Sequence, residues 1–477
     1  MTDNIYQSLL EKLTALHQEH LLAHWDSLDS PRRMRLAEQI HAIDFVQLSR
    51  LYQERGCLFD VAPLAAKAQE PPAFRLEHDG NTIGNTVGNA ISRQDAIQAG
   101  RKALSEGQVA VLVVAGGQGT RLGFEHPKGM FPIAPVSGAT LFQIHFEKVL
   151  ARSRQYGNPI PFCVMTSPAT HEETVDYVAE NRRFGLAEAD VITFCQGTMP
   201  AVSLADGKTL LAAPDQIALS PDGHGGMLAA LKNNGVLKEL SARGIRRLFY
   251  FQVDNPLVDI ANEEFLGYHI LAESELTSQV IRKQSPHDRV GNIVSVDGRL
   301  HVIEYSDLPD AVAERRKPDG SLEIWAGSIA VHVMNLDFLE RQADNAAALP
   351  FHVAKKKTPF VTPQGDLIKP SEPNAIKFER FIFDLLPSAN NAAVVEVDSK
   401  RHFAPLKNAS GSPSDSPETV RKQVSDYYAE WLIKSGATVA PAAKVEVSPL
   451  FALSAETFAE KVAKNGMTAV TADVCFR

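Results

Sequence analysis

Cysteine is scarce in this chain of 477 residues, and the four that occur, Cys57, Cys163, Cys195 and Cys475, are widely scattered. None forms a C-x-x-C pair and no histidine cluster has zinc-ligand spacing, which excludes a disulfide framework and a structural zinc site. They read as reduced thiols. No apolar run approaches the ~20 residues of a membrane span, and Met1-Thr-Asp-Asn lacks the basic start and apolar core of a signal peptide. A cytoplasmic protein with no membrane partner is therefore expected. A basic excess is also missing: 48 Lys and Arg stand against 57 Asp and Glu, a net charge of −9, which disfavours a nucleic-acid surface. Any polyphosphate site must be locally basic. Hydrophobic residues at 44% and charged residues at 22% describe a globular chain, long enough for two or three domains.

What the chain does have is one glycine-rich segment, VAVLVVAGGQGTRLGFEHPKGMFP, from Val109 to Pro132. Val109 and Val111 to Val114 make the continuous apolar run of a strand buried on both faces of a parallel sheet. Gly116, Gly117 and Gly119 then let backbone N–H groups approach a ligand without Cβ interference, forming an anion-binding concavity. Arg121 and Lys128 add full positive charge, so the segment reads as a nucleotide-phosphate site. It fits neither common glycine motif. Leu122 occupies the third-glycine position of a dinucleotide fingerprint, with Gly123 one place late, and Lys128 follows a proline and precedes Gly129 and Met130 instead of the Ser or Thr of a P-loop.

Three regions follow in order: a helical region with linker over 1–92, an α/β domain over 93–395 and a small C-terminal domain over 396–477. Leu9, Leu10, Leu13 and Leu16, then Leu36, Ile40 and Ile43, recur at helical spacing, with Ser30-Pro31 as an expected helix start. Pro71 to Asn89 has linker composition, and Ser92 with Asp95 reads as a capping box. Apolar runs at Val109 to Ala115, Pro161 to Thr166 and Leu248 to Val253 alternate with helical stretches, the pattern of a mostly parallel sheet. Ligands bind outside the carboxyl ends of such strands. Asp254-Asn255 lies at one, where Asp254 suits a Mg²⁺ ion, although an aspartate capping the next turn reads the same.

The spacing GGxGTRLGxxxPKGM resembles the activation loop of sugar-nucleotide pyrophosphorylases. Pro221-Asp-Gly-His-Gly-Gly226, Phe251-Gln-Val-Asp-Asn255, Val290-Gly291, Val302-Ile-Glu-Tyr-Ser306, Asn374-Ala-Ile-Lys-Phe-Glu-Arg-Phe-Ile-Phe383 and Ala404-Pro-Leu-Lys-Asn408 follow in the order of eukaryotic-type UDP-N-acetylhexosamine pyrophosphorylases. The likeness covers about residues 20 to 450.

That resemblance implies a Rossmann-like nucleotidyltransferase sheet and an in-line attack of a sugar 1-phosphate on the α-phosphate of UTP, releasing pyrophosphate. It implies Mg²⁺ on Asp254, Arg121, Lys128 and Lys407 as the catalytic cations, and Gly116 and Gly117 on the phosphates. Gln196 would bind uracil, and Gly223 and His224 belong to the uridine and sugar loop. Asn255, Gly291, Glu304 and Lys377 complete the substrate site. Read alone, Gln196 is equally a polar strand end, Glu304 a solvated carboxylate, and Lys377 and Lys407 surface groups. Lys355-Lys356-Lys357 reads as solvated, and Phe381 and Phe383 as core residues of a strand.

The sugar is where the chain departs from its relatives. Trp325-Ala-Gly-Ser328-Ile stands where the hexosamine branch has Asn-Ala-Gly-Asn-Ile, and His224 stands where that branch has Asn. Trp325 either stacks on the pyranose or sits in the core. N-acetylglucosamine 1-phosphate leads, with glucose 1-phosphate and a broad UDP-sugar activity as alternatives. A nucleotide-sugar sensor without turnover is disfavoured by Lys128, Asp254 and Lys407. Monomer and homodimer both remain open.

Overall fold

Val109–Val114 does form a buried strand, and the computed structural model shows what buries it. The structure describes residues 2–56, 61–76, 83–85, 91–345, 348–464 and 468–477. Cys57 and parts of the expected linker, 77–82 and 86–89, lie outside the described residues.

The described chain packs as two units, each built from non-consecutive segments: 1–60, 196–229 and 347–384 in one, 61–195, 230–346 and 385–477 in the other. The boundaries at 92 and 395 drawn from composition are not boundaries of packing. Composition marks linkers; it does not mark which core a returning segment joins.

The larger unit carries the main sheet. Its order runs Ile83–Asn85, Phe74–Leu76, Ala392–Glu396, Leu276–Arg282, Ala326–Asn335, Arg247–Gln252, Val109–Val114, Phe162–Thr166 and Val191–Cys195. The last four are mutually parallel. Ala326–Asn335 is the long exception, antiparallel to both neighbours, and Gly291–Val296 also pairs with it. Parallel strands at Val109–Val114 and Arg247–Gln252 put the glycine loop and Asp254 side by side at their carboxyl ends,. Leu141–Tyr156 and Arg93–Ser105 are among its helices; Ser92 Oγ accepts from Asp95 N and caps the second.

In the smaller unit, Leu9, Leu13, Leu36, Ile40, Leu48 and Leu51 from three N-terminal helices share one core with Val202, Leu211, Ile217, Ile376 and Phe378. The helical spacing is thereby explained: one apolar stripe needs a partner surface. The cap of Ser30–Ala42 is one residue earlier than expected. Asp29 accepts from Arg32 N at 2.9 Å, because its carboxylate reaches the free amide while Ser30 has already entered the helix.

Candidate active site

The glycine loop is built to expose amides. After Val114 the chain folds back on itself, with Gly119 N donating to His126 O and Lys128 N to Gly117 O. The buried Ser167 hydroxyl, from the neighbouring strand end, donates to Gly116 O at 2.7 Å. The amides of Gly116 and Gly117 donate to no acceptor among the described residues. A Cβ on Gly117 would meet nothing within 4 Å. Gly129 is different, since a Cβ there would lie 2.3 Å from the Phe142 ring; it lets the loop sit on the core. Arg121 is exposed on the short turn Thr120–Leu122 and forms no ion pair among the described residues.

Lys128 reaches across to two sequence-distant segments. Its Nζ donates to Leu406 O at 3.1 Å and lies 3.5 Å from Asp254 Oδ2, while Leu406 N donates to Asp254 O at 2.9 Å. The structure thus brings Lys128, Asp254 and the segment bearing Lys407 together. Lys407 Nζ stands 5.6 Å over the Phe403 ring. Beside it is Asp415, which no motif announced: its carbonyl accepts from Lys407 N and Asn408 N. Burial pushes the Asp415 carboxyl up, Lys407 pulls it down, and the charge of Asp254 raises it further.

Asn255 serves the protein itself. It is 3% exposed, its Nδ2 donates to His402 O, and its Oδ1 accepts from Leu257 N and Ala404 N. Its amide ties the 402–404 segment beside Asp254.

Beneath this lies a stripe of polar residues on one helix that sequence patterning missed. His145, Lys148 and Arg152, spaced at i, i+3 and i+7 on Leu141–Tyr156, are all buried,. His145 Nε2 bonds Val253 O, Lys148 donates to Pro256 O and Val258 O, and Arg152 donates to Ile260 O, Asp259 and Glu263. Every backbone partner is in the loop that carries Asp254. Burial drives His145 down to about 3 and Lys148 down to about 8.

Gly291, Glu304 and Ser328 form a second group in the same unit. Gly291 pairs with Ser328, and a Cβ on Gly291 would stand 3.2 Å from Glu304 Oε1 and 3.9 Å from Ser328 Cβ. Trp325 is not in that contact group: it is 2% exposed, with the Arg75 guanidinium 3.5 Å over its ring and its indole N–H without a hydrogen-bond partner among the described residues. Arg75 is held in turn by Glu396 at 2.7 Å.

The smaller unit holds Gln196, Gly223, His224 and Lys377. Gly223 has φ +85°, and a Cβ there would lie 2.3 Å from Arg380 O; one on Gly225 would lie 2.7 Å from Phe381 N. Gly225 N donates to Arg380 O, and Arg380 N to Asp222 O. The loop therefore packs on the backbone just after Ala375–Glu379. Phe381 and Phe383 consequently do not continue that strand as expected: residue 380 is already paired with the glycine loop, and the chain turns. Instead their rings flank His224, at 5.2 Å and 5.4 Å, and Ile382 N donates to His224 Nδ1. Burial drives His224 down to about 4, so it is neutral at pH 7. Lys377, on Ala375–Glu379, is lowered by burial, with Glu379 opposing. Lys355, Lys356 and Lys357 are exposed, as expected of solvated groups.

Comparison with known proteins matches residues 79–465 to the model of the UTP–glucose-1-phosphate uridylyltransferase family. UDP-N-acetylglucosamine pyrophosphorylase of Saccharomyces cerevisiae is 35% identical, covering 94% of this chain and 93% of its own. A crystal structure of the uridine diphosphate N-acetylglucosamine pyrophosphorylase from Trypanosoma brucei, in complex with inhibitor, superposes with a TM-score of 0.82 at 25% identity, covering 99% and 98% of the two chains. A UDP-glucose phosphorylase structure from the same organism gives 0.58 at 18%, covering 84% and 76%, a likeness of fold alone.

Proposed function

We propose N-acetylglucosamine 1-phosphate as the sugar substrate of this chain, which belongs to the UTP–glucose-1-phosphate uridylyltransferase family and is a UTP:sugar-1-phosphate uridylyltransferase. The observation that carries the choice of sugar is near full-length identity of 35% to an N-acetylglucosamine enzyme. Glucose 1-phosphate is kept as the second reading because Trp325, Ser328 and His224 replace the asparagines of the hexosamine branch.

In this reading a phosphate oxygen of the sugar 1-phosphate attacks the α-phosphorus of UTP in line with the departing pyrophosphate. A phosphate monoester is already anionic at neutral pH, so no general base is required. Positioning and charge stabilisation then supply the catalysis. The unpartnered amides of Gly116 and Gly117 would take phosphate oxygens, with Arg121 on the triphosphate. Lys128 would stabilise the α-phosphate, its ammonium held in place by Leu406 O and Asp254. Lys407 would steady the attacking phosphate. Gln196 and the loop of Gly223 and His224 would take the uridine, and Glu304 with Gly291 the sugar hydroxyls. Lys377 would serve as a further phosphate contact.

Asp254 is the residue suited to Mg²⁺. Among the described residues no group of three or more His, Cys, Asp or Glu could hold a metal alone. Mg²⁺ commonly takes only one or two carboxylates and fills its shell with water and substrate phosphates, so one aspartate beside a phosphate loop fits it. Bound there, the ion would neutralise phosphate charge.

The deciding assay is pyrophosphate release from UTP with a panel of sugar 1-phosphates. A kcat/KM at least about tenfold higher for N-acetylglucosamine 1-phosphate than for glucose 1-phosphate is expected. The reverse order would install glucose 1-phosphate. No helix among the described residues is long and apolar enough to cross a membrane; we propose a cytoplasmic enzyme acting as monomer or homodimer.

A further inference from the structure

Asp222 is a carboxylate that the chemistry above does not use, although it sits inside the Pro221–Gly226 segment. It is 6% exposed and wedged against glycines: a Cβ on Gly226 would lie 1.9 Å from its Oδ1, and one on Gly197 3.1 Å from its Oδ2. Arg380 is the cation that attracts it. Burial raises its carboxyl to about 6, which leaves it ionised at neutral pH.

The side chain that hydrogen-bonds it is Gln196, itself 6% exposed. Gln196 Nε2 donates to Asp222 Oδ1 and to Gly223 O, each at 3.5 Å, the long end of hydrogen bonding,. Both acceptors face the same end of the amide. A flipped Gln196 would turn its Oε1 toward a carboxylate and a carbonyl, which repel it, so the nitrogen is fixed inward. The Oε1 is left over, accepting from no donor among the described residues.

We propose that Asp222 is a positioning residue that sets the sense of the Gln196 amide and thereby makes the nucleobase site select uracil over cytosine. This rests on the reading of Gln196 as the uracil contact. Uracil carries an N3–H donor between two carbonyl acceptors, which an outward Oε1 accepts. Cytosine has a bare N3 acceptor next to an amino donor, so the same Oε1 meets a lone pair. An amide free to flip would serve either base. Asp222→Asn keeps the shape but offers a donor as well as an acceptor, so only Gly223 O still opposes the flipped sense of Gln196.

The test compares kcat/KM for UTP and CTP, by pyrophosphate release at saturating sugar 1-phosphate, in wild type, Asp222→Asn, Gln196→Ala and the double variant. The UTP/CTP ratio is expected to fall by about tenfold or more in Asp222→Asn, mainly through KM for UTP, and no further in the double variant than in Gln196→Ala. A ratio within about twofold of wild type in Asp222→Asn overturns the proposal, as does an Asp222→Asn effect that persists in full without Gln196. If Asp222→Asn does not fold, Asp222→Ser carries the same test; a lowered melting temperature with an unmoved ratio also overturns it. A wild type that does not use UTP sinks the reading of function instead.

Discussion

Two glycine-rich loops of this protein look alike in sequence and spend their glycines differently. In Gly116–Gly119 the missing Cβ of Gly117 faces open space and the amides of Gly116 and Gly117 stay unpartnered among the described residues, while Gly119 alone packs against Phe124 and donates to His126 O. In Pro221–Gly226 the missing Cβ atoms of Gly223 and Gly225 are replaced by the backbone of Arg380 and Phe381. The first loop is open to a ligand's phosphate. The second is open to its own chain, and what it presents outward is set by the side chains of Gln196 and His224.

The sharpest way to break this comparison is Lys128→Ala, which removes the charged partner of the open loop. Turnover is expected to fall by about 10² or more with the melting temperature nearly unchanged. Near-normal turnover at saturating Mg²⁺ would remove Lys128 from the chemistry. The glycines themselves come next. Gly223→Ala should cost about 2 to 4 kcal/mol of stability, combining left-handed strain with a backbone clash, whereas Gly117→Ala should cost about 0.5 kcal/mol or less and act on turnover. Denaturant unfolding of both variants decides it, and equal losses would erase the distinction.

A smaller effect is expected at Trp325. Trp325→Asn restores the residue of the hexosamine branch and, acting through the adjoining strand that carries Ser328, should shift the kcat/KM ratio between N-acetylglucosamine 1-phosphate and glucose 1-phosphate by about tenfold,. A lowered melting temperature with an unchanged ratio would confine Trp325 to its packing under Arg75. The smallest effect concerns pH. Burial holds His269 at about 4 against an ordinary 6.5. Because the folded value lies below the unfolded one, the unfolded chain takes the proton first as pH falls below 6.5, and stability declines toward about 4,. At pH 6 this amounts to only about 0.8 kcal/mol, read as the difference in acid slope between wild type and His269→Asn. Parallel slopes would show His269 charging freely.

Lys128, Asp254 and Lys407 were legible because each sits in a short motif at a strand end or in the block after it, and the mostly parallel sheet followed from runs such as Val109 to Val114. Asp415, Ser167 and His145 were not. Ser167 and His145 meet backbone carbonyls far away in the chain and Asp415 meets the backbone amides of Lys407 and Asn408, and backbone groups have no sequence signature,. Asn255 illustrates the converse: it stands in a motif, yet its amide is consumed by the 402–404 backbone. Phe381 and Phe383 misled for a related reason, since alternation predicts a strand only where no other backbone competes for residue 380.

The stripe of His145, Lys148 and Arg152 has a mechanical meaning. Leu141–Tyr156 follows directly from the glycine-loop segment, and from its buried face it clamps the carbonyls of residues 253 to 260. The glycine-loop segment and the loop that carries Asp254 therefore share one strut. Their hydrogen-bonded amides, such as those of Gly119 and Lys128, should exchange with solvent only when that whole unit opens, not by loop fraying,. Ordering entropy that a floppy loop would surrender at each binding event is here surrendered once, during folding, and every later turnover starts from a loop already in place.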